Sequence, residues 1–248
     1  MATGAFDNPD QFSGDERERG FGRQLTRKEQ TIEVCAFLLF IMPAMILAYF
    51  VSGQGAGGSF TLLATTTIIR NLALVALIAF FLWRNGESPE RIGWTPKHEW
   101  TDIVLGVLLF PLVFFAAGLL NNLLQRAGFS GPSAPAMATL IPRGEAEFAL
   151  AILLVIIVAI SEEFIFRGYL IRRFASITRH VGWAVLLSSI IFALGHGYQG
   201  AAGVISIGFI GLVFALVYVW RGSLMAPVIM HFLQDFTAIV GLPYIMQR

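Results

Sequence analysis

Two adjacent carboxylates, Glu162 and Glu163, end a hydrocarbon run that extends from Phe148 to Ile160, in the stretch Ser161-Glu162-Glu163-Phe164-Ile165-Phe166-Arg167. A charge at bilayer depth costs a few kcal/mol even on lenient insertion scales, so a pair of them asks for a function and for partners. Further along, the chain supplies Phe192-Ala193-Leu194-Gly195-His196 and His231-Phe232-Leu233-Gln234-Asp235, each in another long apolar segment. An acid and two histidines drawn from three helices are the residue types of a buried hydrolytic site. A carboxylate can take a proton from water, and imidazoles can share that task or steady developing charge.

Spacing divides the labour among these residues. His231 and Asp235 stand four apart and share a helix face, as do Phe192 and His196, an arrangement that packs an aromatic ring beneath the imidazole. Glu163 and Arg167 have the same spacing and read as a structural ion pair. Glu162 points about 100° away from Glu163 around the helix, which leaves it free for chemistry.

Helices must carry these groups, and the composition says in what solvent. The 248 residues are 56% hydrophobic and only 13% charged, with a mean hydropathy of +0.71. Soluble domains carry about twice that charge fraction, so the expected fold is all-α, a polytopic transmembrane bundle of about seven or eight spans. A net charge of +1 gives no footing for a nucleic-acid partner. Residues 1–30 read as a polar cytoplasmic tail without the apolar region of a signal peptide. Residues 31–146 read as amino-terminal transmembrane helices and loops, and residues 147–242 as the core that holds the chemistry, built on four helices. The delimited spans are 32–51, 60–83, 101–124, 147–176, 181–196, 201–220 and 223–242. Gly53 to Ser59 reads as a glycine-rich turn, and Gln125 to Glu147 as a connection long enough for a surface or re-entrant piece.

Basic residues orient this array. Arg17, Arg19, Arg23, Arg27, Lys28, Arg84, Arg91, Lys97, Arg167, Arg172, Arg173, Arg179 and Arg221 fall on the side of the amino terminus, and Arg126, Arg143 and Arg248 on the other. The positive-inside rule therefore puts the amino terminus in the cytoplasm. Arg70, near the middle of the second span, either snorkels or caps a broken helix, or else pairs with an intramembrane carboxylate such as Glu163 or Asp235. Cys35 reads as a small buried hydrophobe of the first span. His98 and His180 read as surface loop residues, and Trp94, Trp100, Trp183, Tyr218 and Trp220 as interfacial anchors. Gly211 with Ala215 and Ala202 with Ser206 suggest that the sixth span packs closely inside the bundle. Along the last span, His231 lies about 12 Å and Asp235 about 18 Å from its start. His196 comes out deeper, so the fifth helix must tilt or break for the histidines to meet.

The ordered set EExxxR, FxxxH and HxxxD, met here as Glu162, Glu163 and Arg167, then Phe192 and His196, then His231 and Asp235, resembles the CPBP family of intramembrane proteases. That family includes the type II CAAX prenyl endopeptidases. The resemblance spans about Glu147 to Leu242 and implies peptide-bond hydrolysis inside the bilayer. Under it Glu162 activates water with help from His196, while His231 and residue 235 stabilise the oxyanion. Prenyl-processing members commonly carry Asn at the last position; Asp235 instead suits orientation of His231 or ligation of a metal. Glu162, His196, His231 and Asp235 offer the oxygen and nitrogen ligands of a zinc site, although four protein ligands describe a closed structural site. The metal-free glutamate mechanism is preferred from the resemblance, and no cofactor is certain. The implied partners are the lipid bilayer and a peptide or protein substrate in or at the membrane, a prenylated CAAX tail being one candidate. The sequence has no HExxH zinc motif and no GxGD. A transporter or channel would also justify buried charges, and a protease-like scaffold or immunity protein would keep the motifs without turnover.

Overall fold

A computed structural model describes residues 25–53, 59–95 and 99–247. The expected tail as far as Gln24, most of the glycine-rich turn and His98 lie outside the described residues. Among the described residues the regular structure is helical, with no strand. The first helix, α1 (Arg27–Gly53), begins inside the stretch expected to be tail. Thr26 and Glu29 explain the start: the Glu29 carboxylate accepts from the Thr26 N–H at 2.9 Å, and the Thr26 hydroxyl accepts from the Glu29 N–H at 3.3 Å. This reciprocal pair is a capping box.

The chain continues through α2 (Phe60–Asn85), a short 3-10 turn Pro89–Ile92, α3 (Glu99–Arg126) and a small α4 (Ala134–Thr139) within the long connection. Then come α5 (Gly144–Glu162), α6 (Ile171–Thr178), α7 (Val181–Leu194), α8 (Gly200–Arg221), α9 (Met225–Asp235) and α10 (Leu242–Met246). Among the described residues, five stretches are long and apolar enough to cross a membrane: Phe60–Asn85, Trp100–Arg126, Gly144–Thr178, Gly197–Arg221 and Met225–Met246. The outer face is correspondingly apolar, with Leu39, Leu62, Leu108, Leu112 and Phe115 exposed. This is the surface of an integral membrane protein, whose helices satisfy their own backbone groups in lipid. The expected fifth span is shorter than anticipated: α7 has 14 residues, about 21 Å at the helical rise, and ends before His196.

Two interruptions of winding frame the carboxy-terminal half. Between α5 and α6, Glu163–Leu170 is π-helical, and between α9 and α10, Phe236–Gly241 is as well. Such segments are rare and concentrate at functional sites. The first is supported from α7: the Phe166 carbonyl accepts the Ile171 N–H from within its own helix and the Ser188 hydroxyl at 2.7 Å from outside it. Around this central helix α2 packs on α5, α7 on α6 and α8, and α9 on α3 and α5.

Buried charge pairs lock the surrounding helices. Arg173 of α6 is held by Glu87 at 2.5 Å and by Glu33 of α1 at 3.1 Å, and Glu33 also accepts from Arg84 and Asn85 of α2. Arg221 of α8 meets the fully buried Asp102 of α3 at 2.7 Å. The long connection is fixed to the start of α8, where the Ser130 carbonyl accepts from the Ala202 N–H at 2.9 Å and its hydroxyl accepts from the Ala201 N–H at 3.1 Å. Gly200 makes that approach possible. Its φ is +74°, and a Cβ there would lie 2.4 Å from the Gly131 carbonyl oxygen. Gly200→Ala is expected to cost about 1–3 kcal/mol, read as a lowered thermal midpoint of the purified protein.

Two expectations change, and two others are resolved. Tyr218 is buried in the bundle rather than at an interface, its hydroxyl donating to the Ile92 carbonyl at 3.1 Å. Cys35 is exposed rather than buried, on the outward face of α1 with Leu39 one turn on, because Val34, Phe37 and Ile41 take the inward face. Arg70 is exposed on α2, and among the described residues no carboxylate stands within ion-pair distance of it; Glu163 is engaged elsewhere. His180 is exposed as expected but also works, its Nδ1 accepting from the Trp183 N–H at 3.3 Å to cap α7. Close packing of α8 holds: Ala202, Ser206, Gly211 and Ala215 are all buried.

Candidate active site

The site forms where the change of winding after α5 meets α9, α8 and the turn after α7. Glu163, the first π-helical residue, is fully buried, and its Oε1 accepts from Arg167 Nη1 at 2.8 Å and from His231 Nδ1 at 2.7 Å. The first partner is the one that the spacing suggested. The second arrives from α9, 68 residues away, and joins two motifs that the sequence presents separately. A proton on Nδ1 turned toward Glu163 leaves Nε2 as the working nitrogen of His231. That nitrogen stands 3.4 Å from Asp235 Oδ2 and 3.9 Å from Glu162 Oε2.

Glu162 differs from its neighbour in its contacts. Its side chain is 12% exposed, and its Oε2 is buried with no hydrogen-bond partner. A buried carboxylate oxygen without a donor is costly, and native proteins seldom leave one except where water or chemistry uses it. One carboxylate is thus tied down on two sides, and the adjacent one is free.

Aromatic rings set the walls. Phe192 lies between the two histidines, its ring centroid 5.0 Å from that of His196 and 5.9 Å from that of His231. On its other side the Arg167 guanidinium lies 4.4 Å from the ring centre, and Phe214 of α8 adds a second ring 5.4 Å from the same guanidinium. Arg167 Nη2 also donates to the Gly211 carbonyl at 3.1 Å. Gly211 needs its lack of a side chain, since a Cβ would come within 2.9 Å of Phe192 Cδ1. Phe214 and Gly211 belong to none of the three motifs; the small-residue pattern of α8 was their only trace in the sequence.

His196 stands just past the end of α7, in a turn that leads to the 3-10 segment Gly197–Gln199. The break required by the depth argument is therefore present. Its Nδ1 lies 3.0 Å from the Phe192 carbonyl, which as an acceptor fixes the proton on Nδ1 and leaves Nε2 available. Tyr198, which no motif marked, follows two residues later with its ring 6.0 Å from that of His196. Its signal in the sequence was a polar, glycine-punctuated turn, Gly195-His196-Gly197-Tyr198-Gln199-Gly200, between two apolar helices.

Among the described residues no three His, Cys, Asp or Glu side chains gather as a metal site, and the Nδ1 atoms of both histidines are already engaged. As these side chains stand they do not make a three-donor zinc centre. A cavity of about 320 Å³ opens near the start of α9, lined by Gly93, Trp94, Thr95, Ser223, Leu224, Met225 and Val228. Leu224, Val228 and His231 follow the i, i+4, i+7 spacing of one helix face, so one wall of the cavity runs toward the site.

Residues 144–237 match the family model described as type II CAAX prenyl endopeptidase Rce1-like. The matched segment contains both glutamates, Arg167, Phe192, both histidines and Asp235. No curated protein and no solved structure matches the chain.

Proposed function

We propose, from the match of residues 144–237 to the Rce1-like model of type II CAAX prenyl endopeptidases, that the protein is an intramembrane endopeptidase in which Glu162 activates water against a peptide bond of a membrane-embedded or lipid-modified chain. The observation that carries this reading is the buried Oε2 of Glu162, without a hydrogen-bond donor and 3.9 Å from a histidine whose other nitrogen is pinned. A water bound there loses a proton to the Glu162 carboxylate as its oxygen bonds to the scissile carbonyl carbon. The electron pair of the carbonyl moves to its oxygen, which the Nε2–H of a protonated His231 can meet. Collapse of the tetrahedral species breaks the C–N bond, and the proton held by Glu162 passes to the leaving amine. His196, with its Nε2 free, serves the same water or the leaving group. Asp235, with Oδ2 3.4 Å from His231 Nε2, orients the ring. No step is routed through a metal.

A prenylated CAAX tail is the substrate class that the family suggests. The cavity at the start of α9 opens at the end of the bundle that positive charge assigns to the cytoplasm, and Val228 in its wall precedes His231 by three residues on α9. The test compares the termini of membrane peptides, by mass spectrometry, between membranes containing this protein and membranes containing Glu162→Ala. New termini that vanish in the variant are expected. Identical termini accompanied by a Glu162-dependent ion or solute flux would establish a transporter instead.

A further inference from the structure

The turn that carries His196 also carries a phenol placed to act in the same reaction. Tyr198 is half-buried, and its hydroxyl accepts a hydrogen bond from Gln199 Nε2 at 3.3 Å. Among the described residues nothing accepts that hydroxyl's own proton. The Tyr198 ring lies 6.0 Å from that of His196, and the charges of Asp235, Glu162 and Arg70 all act on its hydroxyl. An amide that donates to a phenol oxygen strengthens that phenol as a donor, because hydrogen bonds in a chain polarise one another.

The site has a vacancy for such a donor. Asp235, as a carboxylate, can only accept. His231 Nδ1 is spent on Glu163, and His196 Nδ1 on the Phe192 carbonyl. Arg167, the nearest strong cation, has Glu163 and the Gly211 carbonyl as partners. Among the side chains of the three motifs, one imidazole proton from His231 then remains for an oxyanion, where hydrolytic sites commonly aim two donors. We propose that Tyr198 is a catalytic residue whose hydroxyl donates to the developing oxyanion, alongside His231 and in the role that a side-chain amide at position 235 could have filled. The inference rests on the peptidase reading. It adds a residue from outside the three motifs.

The test uses the full-length protein in nanodiscs, with an internally quenched farnesylated CAAX peptide as probe and the rate of appearance of Glu162-dependent membrane termini as a second readout. Tyr198→Phe keeps the ring against His196 and removes only the hydroxyl. It is expected to lower kcat about 100-fold, the usual effect of losing one oxyanion donor, with KM changed less than about twofold and the thermal midpoint unchanged. Tyr198→Leu removes the ring too and should add a rise in KM or a loss of midpoint. Wild-type turnover by Tyr198→Phe with Glu162→Gln inactive overturns the role of Tyr198 and leaves the peptidase reading standing. So does a loss in Tyr198→Phe that follows a lowered midpoint, which would make the phenol a support for His196. If neither readout shows cleavage that depends on Glu162, both inferences fall together.

Discussion

Glu162→Gln is expected to lower turnover by about 10²–10⁴-fold, the range for loss of a positioned general base, while leaving the thermal midpoint unchanged or higher. The two effects separate because of what the carboxylate lacks. Its Oε2 is buried without a donor, and His231 Nε2 at 3.9 Å is beyond hydrogen-bond reach. The charge therefore bears a desolvation cost that little in the fold offsets, and a neutral amide of the same shape relieves it. Glu163→Gln behaves differently: that carboxylate accepts from both Arg167 and His231, so activity and midpoint fall together. Turnover measured beside thermal unfolding of the same preparations distinguishes the adjacent glutamates. A Glu162→Gln protein whose midpoint dropped in step with its activity would place that residue in the scaffold.

The different contacts of the two glutamates were legible because α-helical geometry turns consecutive residues about 100° apart. The i,i+4 rule likewise foretold the Glu163–Arg167 contact at 2.8 Å and the placing of Phe192 under His196. Local periodicity could not foretell the junction of Glu163 with His231, a contact between helices far apart along the chain. Nor does any residue pattern announce that winding changes to five-residue hydrogen bonding at Glu163, since Glu163–Leu170 contains no proline or other obligatory breaker. The face of Cys35 failed for a different reason. A membrane helix is apolar toward lipid as well as toward protein, so the amphipathic signal that would separate Val34 and Phe37 from Cys35 and Leu39 is faint. The capping box at Thr26 was written plainly in Thr26-Arg27-Lys28-Glu29, and it shows α1 starting before the hydrophobic run does. Tyr198 was hidden by its setting, a turn between two spans, where an aromatic residue is ordinarily an interfacial anchor.

Arg167→Leu is expected to cost about 3–5 kcal/mol of stability, the penalty for stripping one partner from a buried ion pair. The guanidinium is 1% exposed and makes three kinds of contact: the carboxylate of Glu163, the Gly211 carbonyl, and the faces of Phe192 and Phe214. Leucine fills part of the volume but leaves Glu163 charged in an apolar surrounding with His231 as its one remaining donor. Arg167→Lys should recover little, because a point charge cannot fork to a carboxylate and a carbonyl while stacking between two rings. The double variant Glu163→Gln/Arg167→Leu removes both charges, and buried pairs replaced in this way are often close to neutral. Its midpoint should return most of the way toward the wild-type value. Its activity should not, since His231 would have lost the carboxylate that fixes its proton on Nδ1. Thermal unfolding and turnover of the single and double variants test this together. Equal loss of stability in all three variants would mean that Arg167 holds the bundle through Gly211 and the rings, independently of the charge it faces.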